Sequence, residues 1–285
     1  FGWGEFSDAS KQGQRIVSFF KDEPIVGSFL FGFFLIISGY ILDLKNNKYK
    51  IIIFIIFFSL VLLTILLSGE RSNFLKSLLV SAVFLFLSKE ISKKYILKLF
   101  LFFSLVLVIV FNSYSYLESK YSYLIKFLSL NDGNIYVKNN IYFDLYKSGY
   151  KVFLDNKLFG VGQKNYGEYA SIKDENLKKE NNTTINFIVI STHPHQIYFE
   201  FLSEHGIIGS IILLSLFIYI FFKILKIILL SRNNIQIGCF CYIISFFIPI
   251  LPSGAFFSDF NATLFWINFS IFFAVSEKTN LFKLK

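Results

Sequence analysis

Methionine is absent from all 285 residues. A chain without its initiator leads to the expectation that this is an excised or processed portion of a longer protein. Charge is scarce as well: 16% of residues are Asp, Glu, Lys or Arg, against 54% that are hydrophobic. An ordinary soluble enzyme carries about 25% charged residues, so that class is excluded. The same balance excludes a disordered chain, which combines low hydrophobicity with high net charge. Arginine is nearly missing, with Arg15, Arg71 and Arg232 set against 25 lysines. The two cysteines, Cys239 and Cys241, stand two apart in one apolar run. That spacing puts them on different faces of a helix, and both are read as buried apolar side chains.

What the chain has in quantity is phenylalanine, 39 residues of it, with a mean hydropathy of +0.58. The apolar residues come in long blocks at 25–42, 51–67, 73–88, 95–116, 207–230, 237–251 and 263–275. Allowing for tilt and snorkelling, each is about long enough to cross a hydrocarbon layer of roughly 30 Å at 1.5 Å per residue. The fold class expected is an all-α polytopic membrane protein with about seven transmembrane helices, the last two short.

Basic residues then set the orientation. Lys45, Lys48 and Lys50 follow the first block; Lys89, Lys93, Lys94 and Lys98 follow the third. Lys223, Lys226 and Arg232 follow the fifth, and Lys278, Lys283 and Lys285 lie in the tail. Between them, the connection 68–72 holds only Arg71 and 249–262 holds no basic residue. Cytoplasmic loops carry the Lys/Arg excess, so the basic set is assigned to the cytoplasm. Four segments result: 1–24, an extracytoplasmic interface segment; 25–116, spans one to four; 117–206, a large extracytoplasmic loop with amphipathic helices; and 207–285, spans five to seven with a cytoplasmic tail. The net charge of +9 does not indicate nucleic acid. Its lysines are membrane anchors, or face eight acids in the outer loop, and no free basic, aromatic-interleaved helix exists.

The outer loop concentrates the chemistry. Residues 141–154 space Ile141, Leu145, Tyr146, Gly149 and Phe153 at helical intervals, predicting an amphipathic helix near the membrane surface. A glycine turn follows, with Gly160, Gly162 and Asn165, and then a Lys/Glu/Asn-rich stretch at 173–184 that reads as mobile. Next comes Thr192-His-Pro-His-Gln196, where Pro194 suits a first helical turn and Ile197, Phe201 and Leu202 mark the apolar face of a helix ended by Gly206. All three histidines, His193, His195 and His205, fall here. His195 is placed at the start of a helix leading into the fifth span, hence at the membrane interface, and an imidazole can take a proton at neutral pH. His193 is either its partner or part of the turn, and His205 reads as a helix-end residue. Arg71 and Arg15 each have two readings: a snorkelling side chain, or a rigid guanidinium fork for phosphate that lysine does not imitate. Lys76, one turn inside the third span, could add positive charge to the same site.

Four stretches carry a resemblance. They are Arg15-Ile-Val-Ser-Phe-Phe-Lys-Asp-Glu-Pro-Ile-Val-Gly-Ser-Phe-Leu30, Leu67-Ser-Gly-Glu-Arg-Ser-Asn73, Leu158-Phe-Gly-Val-Gly-Gln-Lys-Asn-Tyr166, and His193-Pro-His-Gln-Ile-Tyr-Phe-Glu-Phe-Leu-Ser-Glu-His-Gly-Ile-Ile-Gly209. In this order, and over nearly the whole chain, they resemble the carboxy-terminal two thirds of the O-antigen ligase and polymerase superfamily. The resemblance implies a GT-C-like, multi-pass glycosyltransferase of the bacterial inner membrane with its active site facing the periplasm, and further spans ahead of this portion. Its donor would be a glycan on undecaprenyl diphosphate, and its acceptor lipid A-core or another glycan, with membrane lipid as surroundings.

The family's two outer arginines match Arg15 and Arg71, and its histidine matches His195, with Gln196 where Asn is more usual. For the basic residue that often precedes the glycine turn, this chain offers Lys147 and Lys151. The implied catalytic set is His195, Arg71 and Arg15. His193, Lys76, Gly160, Gly162, Asn165 and Gln196 are placed with the substrate. The arginines would hold the departing diphosphate, and His195 would orient or deprotonate the acceptor hydroxyl for an inverting displacement. No Asp-x-Asp pair for a metal-bound nucleotide sugar occurs, so no cofactor and no metal are expected, with His193-x-His195 as the alternative metal site. Ligase is the first reading. A polymerase or protein O-oligosaccharyltransferase of the same superfamily is the second. A polysaccharide-related transporter is the third, and span centres almost free of charge speak against it.

Overall fold

The computed structural model describes residues 16–20, 23–45, 48–113, 141–181 and 191–275. Among them are nine α-helices and a 3₁₀ turn at Ser18–Phe20. The helices are α1 (Val26–Asp43), α2 (Lys50–Leu67), α3 (Arg71–Leu87), α4 (Lys93–Ser113), α5 (Ile141–Asp155), α6 (Tyr166–Asn181), α7 (Ile197–Ser231), α8 (Asn234–Ser245) and α9 (Asp259–Ala274). Every apolar block falls on a helix, as the backbone requires in a medium that offers it no hydrogen bonds.

By length and composition, α1, α2 and α7 are long and apolar enough to cross a membrane. Over its described residues the chain is an all-α membrane protein. The sixth block differs from expectation. The predicted span 237–251 ends as a helix at Ser245, so α8 has 12 residues and a length of roughly 18 Å. Pro249 and Pro252 follow, each lacking an N–H and disfavouring helical backbone in the residue before it. The remaining blocks form α3 with 17 residues, α4 with 21, and α9 with 16. The first turns of α4 carry Lys93, Lys94 and Lys98.

The chain divides into two compact units. The first holds the described residues of Phe1–Ile125, Ile224–Ser245 and Leu264–Lys285. Its centre is α1 against α8, and glycine sets their approach. A Cβ on Gly39 would lie 2.3 Å from the carbonyl oxygen of Asn234, and one on Gly238 would lie 2.2 Å from that of Leu35. Small residues that let backbones touch are how membrane helices associate, since lipid supplies no hydrophobic drive between them. Phe34, Phe54, Phe58 and Phe84 fill the space between α1, α2 and α3, all essentially inaccessible.

Polar side chains close both ends of α1. At its start, the buried Glu70 carboxylate accepts the Gly27 N–H at 2.5 Å and the Ser28 N–H at 3.1 Å, and Asn73 donates to it at 2.7 Å. A carboxylate there meets both orphan N–H groups and the positive end of the helix dipole. At the far end, Asp43 accepts the Asn234 and Ile235 N–H groups at 3.0 and 3.3 Å, capping α8. Ser88 donates to Asn234 at 2.7 Å, and Lys50 pairs with Glu90 at 2.8 Å. The connections α1–α2, α3–α4 and α7–α8, three of the basic set, therefore meet at one end of this unit.

The second unit holds the described residues of Lys126–Lys223 and Phe246–Thr263. It contains α5, α6 and the first part of α7, with the 246–258 connection. The amphipathic helix predicted at 141–154 is α5, with Leu145, Tyr146, Ser148, Gly149 and Val152 buried. Ile141, placed on that face by spacing, is 60% exposed at the helix start. Of the stretch read as mobile, residues 173–181 are helical and end α6 at Asn181, and 182–184 lie outside the described residues. Tyr166 anchors α6 to α5 by donating to Ser148 at 2.9 Å.

Candidate functional site

The second unit is organised by the nine residues Ile197–His205, bounded by two left-handed positions. His195 has φ 56°, and Gly206 has φ 62° with ψ −169°. The first moves the helix start from the expected 194–195 to Ile197, because left-handed backbone does not continue into a right-handed helix. It is also uncommon for a residue with a Cβ. The second breaks α7, so the segment before Gly206 stands apart from the long apolar run after it.

Gln196 begins this segment as its cap. Its Oε1 accepts the Tyr198 N–H at 2.8 Å and the Phe199 N–H at 3.3 Å. Shorter Asn, Asp or Ser usually does this; here the longer amide reaches the same donors and is buried. The residue assigned to substrate is thus engaged in holding the helix next to His195. The His195 carbonyl accepts the Ser253 N–H at 2.8 Å, which ties its strained backbone to the 246–258 connection. Its ring lies 3.9 Å, centroid to centroid, from that of His193, and edge-on to Tyr142 at 5.9 Å. Thr192 Oγ1 is 3.0 Å from His193 Nδ1. Burial pushes His193 down to about 4, and the neighbouring His195 adds to this. At neutral pH His193 is therefore uncharged, and the pair carries at most one positive charge.

Two glutamates one turn apart, Glu200 and Glu204, fasten the loops on either side. Both are almost fully buried. Both carboxyl oxygens of Glu200 accept the Phe256 N–H at 2.9 Å, and Oε1 also lies 3.5 Å from the Phe257 nitrogen. Burial pushes this carboxyl up to about 7; the hydrogen bonds oppose the shift and Glu204 adds to it. The Glu204 carboxyl is likewise raised by burial, against hydrogen bonds from the Lys164 and Tyr166 backbone and the Lys164 charge. Composition gave no hint of these two. The available signal was a pair of acids four residues apart on an otherwise apolar helix directly after His195.

The glycine turn is bonded to the same segment. Val161 and Gly162 donate their N–H groups to the Ser203 and Glu204 carbonyls at 2.9 and 2.8 Å. Gly160 (φ 68°) lies so close that a Cβ would stand 2.4 Å from the Glu204 carbonyl carbon. Asn165 closes the turn with its Nδ2 donating to the Val161 carbonyl at 3.0 Å. Among the predicted substrate residues, then, Gly160, Gly162, Asn165 and Gln196 come together with His193 and His195 around this one segment, and their visible contacts shape the backbone.

Arg71 and Lys76 belong to the first unit. Arg71 opens α3, half-buried. Lys76 is buried on the next turn, and five residues of helix turn it about 140° from Arg71, so the two point to different faces. Arg15 lies outside the described residues, as does the basic tail at 276–285. Among the described residues no three of His, Cys, Asp and Glu gather as metal ligands would.

The family model described as O-antigen ligase matches residues 54–214, more than half of the chain. That stretch includes Arg71, Lys76, the glycine turn, His193, His195 and Gln196, and leaves out Arg15. No curated protein and no solved structure matches the chain. With the family model aligned across the histidine segment, the glycine turn bonded to it and the helix of Arg71, the chain belongs to the O-antigen ligase family.

Proposed function

We propose that the protein is a multi-pass glycosyltransferase of the bacterial inner membrane. It moves a glycan from undecaprenyl diphosphate to a sugar hydroxyl of lipid A-core, at a site open to the periplasm. The observation that carries this reading is the position of His195. It sits in left-handed backbone tied to Ser253, against a neutral imidazole, two residues ahead of a helix that leads, across the break at Gly206, into an apolar span. A group held there meets a lipid-linked diphosphate where its head group emerges from the bilayer.

In this mechanism the acceptor hydroxyl oxygen attacks the anomeric carbon, and the bond from that carbon to the diphosphate breaks with inversion. The hydroxyl proton passes to His195, whose neighbour His193 adds no competing charge. Arg71, with Arg15, neutralises the diphosphate as it leaves, and stabilising charge that develops in the transition state is the largest lever such a site has. The GT-C-like arrangement, with the seven apolar blocks in the membrane and the basic connections on the cytoplasmic side, completes the proposal.

The test is a strain lacking the protein, examined for what accumulates. Polymer left on its lipid carrier supports ligase. A core capped by one repeat unit transfers the reading to polymerase, and unchanged glycolipids overturn it.

A further inference from the structure

The turn joining α5 to the glycine turn carries an apolar tip that the proposed chemistry does not use. Leu158 is 59% exposed and Phe159 73% exposed, the latter among the most exposed large apolar side chains described. The tip is not a loose loop. Asn156 N–H donates to the Phe153 carbonyl, and Gly160 N–H to the Asn156 carbonyl, each close to 3 Å.

Its far side is bonded to the first turn of the apolar run in α7. Ile207 donates to the Lys157 carbonyl at 2.8 Å and Ile208 to the Leu158 carbonyl at 3.3 Å. Gly206 permits this, since a Cβ there would stand 2.4 Å from the Leu158 carbonyl. The tip is therefore fixed at the level where the span begins. Along that span Ile207, Ile208, Ile211 and Ile212 are exposed as well, so one apolar surface runs from the span onto the tip. Lys157 is exposed beside it, and residues 156–165 contain two lysines and no acid.

We propose that Leu158 and Phe159 are a membrane wedge: they insert into the outer leaflet beside the start of the span, with Lys157 at the level of anionic headgroups. The continuity with the lipid-facing isoleucines selects the bilayer as occupant. Apolar faces of this kind enter about 5–10 Å into the boundary between headgroups and acyl chains, with flanking basic residues attracted to anionic lipid. The wedge would hold the glycine turn, and through it the His195 segment, at fixed depth.

The experiment is spin-label depth measurement on the whole protein, in vesicles of three parts phosphatidylethanolamine to one part phosphatidylglycerol. Labels go on Phe159→Cys and, as a second position, Leu158→Cys, with the exposed Lys147→Cys of α5, which pairs with Asp144, as reference. Cys239 and Cys241 are fully buried, and the unsubstituted protein is the labelling blank. The wedge predicts that accessibility to oxygen relative to a water-soluble nickel chelate rises at 158 and 159 over its value at 147. Equal ratios at all three positions overturn it. The readout needs no glycan transfer, so its failure leaves the proposed function standing, and a failed transfer assay leaves the wedge standing.

Discussion

Replacing Glu200 by Gln separates two things that the buried carboxylate does. It satisfies the Phe256 N–H, and it carries an ionisable group where burial disfavours charge. Glutamine keeps an acceptor of similar reach and cannot ionise. Burial raises the carboxyl from its ordinary 4.5 to about 7, so the folded protein favours the protonated form. A group raised in this way contributes stability that is fully present below 4.5 and is lost as pH rises through 7. At 1.36 kcal/mol per unit the loss is about 3 kcal/mol. At about 2–4 °C per kcal/mol for a chain of this size, it corresponds to a melting shift of roughly 6–12 °C.

The assay is thermal unfolding of the detergent-solubilised protein from pH 4.5 to 8.5, wild type against Glu200→Gln, taken as a difference. Other groups change over the same range. Glu204 is raised in the same direction, while His193, lowered to about 4, loses its contribution as pH falls. Both are present in both proteins and largely cancel. The variant should gain on the wild type as pH rises toward 7 and hold its advantage above it. A difference curve flat across the range refutes the buried-carboxylate account. Glu200→Ala is the companion: it leaves the buried Phe256 N–H unpaired, which costs about 1–3 kcal/mol at every pH.

Three further outcomes follow from the same geometry. Gly160→Ala, at φ 68° and against the Glu204 backbone, should lower stability by about 1–2 kcal/mol from left-handed strain alone, before the collision is counted; a melting temperature equal to wild type contradicts the close approach. Gln196→Ala should cost about 1 kcal/mol as a lost helix cap while Gln196→Asn restores most of it, measured by the same melting experiment, and equal losses in the two variants would deny the capping role. Arg71→Lys should retain protein in the membrane yet reduce transfer strongly, because a point charge does not reproduce the bidentate fork; full activity with lysine would return Arg71 to a snorkelling role.

The helices were legible in the sequence because apolar blocks report burial in lipid directly, and each of the seven blocks is helical. Their ends were less so. The sixth block reads through Pro249 because hydropathy counts Ile248, Ile250 and Leu251 as span, although proline chemistry stops the helix at Ser245. The neighbourhood of His195 was legible from the clustering of histidines next to the fifth block. Its conformation was not: nothing about a His-Pro-His run states that His195 takes φ 56° or that its carbonyl accepts a hydrogen bond from Ser253, 58 residues away. Glu200 and Glu204 were missed for the same reason. Their role is to bind backbone N–H groups of distant connections, and a carboxylate's partner is invisible until the chain is folded.

The central claim is that His195 accepts the proton of the attacking hydroxyl during glycan transfer. The most direct measurement is transfer by purified protein in vesicles, from an undecaprenyl-diphosphate-linked glycan to a lipid A-core acceptor, comparing wild type with His195→Ala. The account predicts transfer by the wild type and none by His195→Ala, with both proteins present in equal amount. Transfer by His195→Ala at the wild-type rate would contradict it.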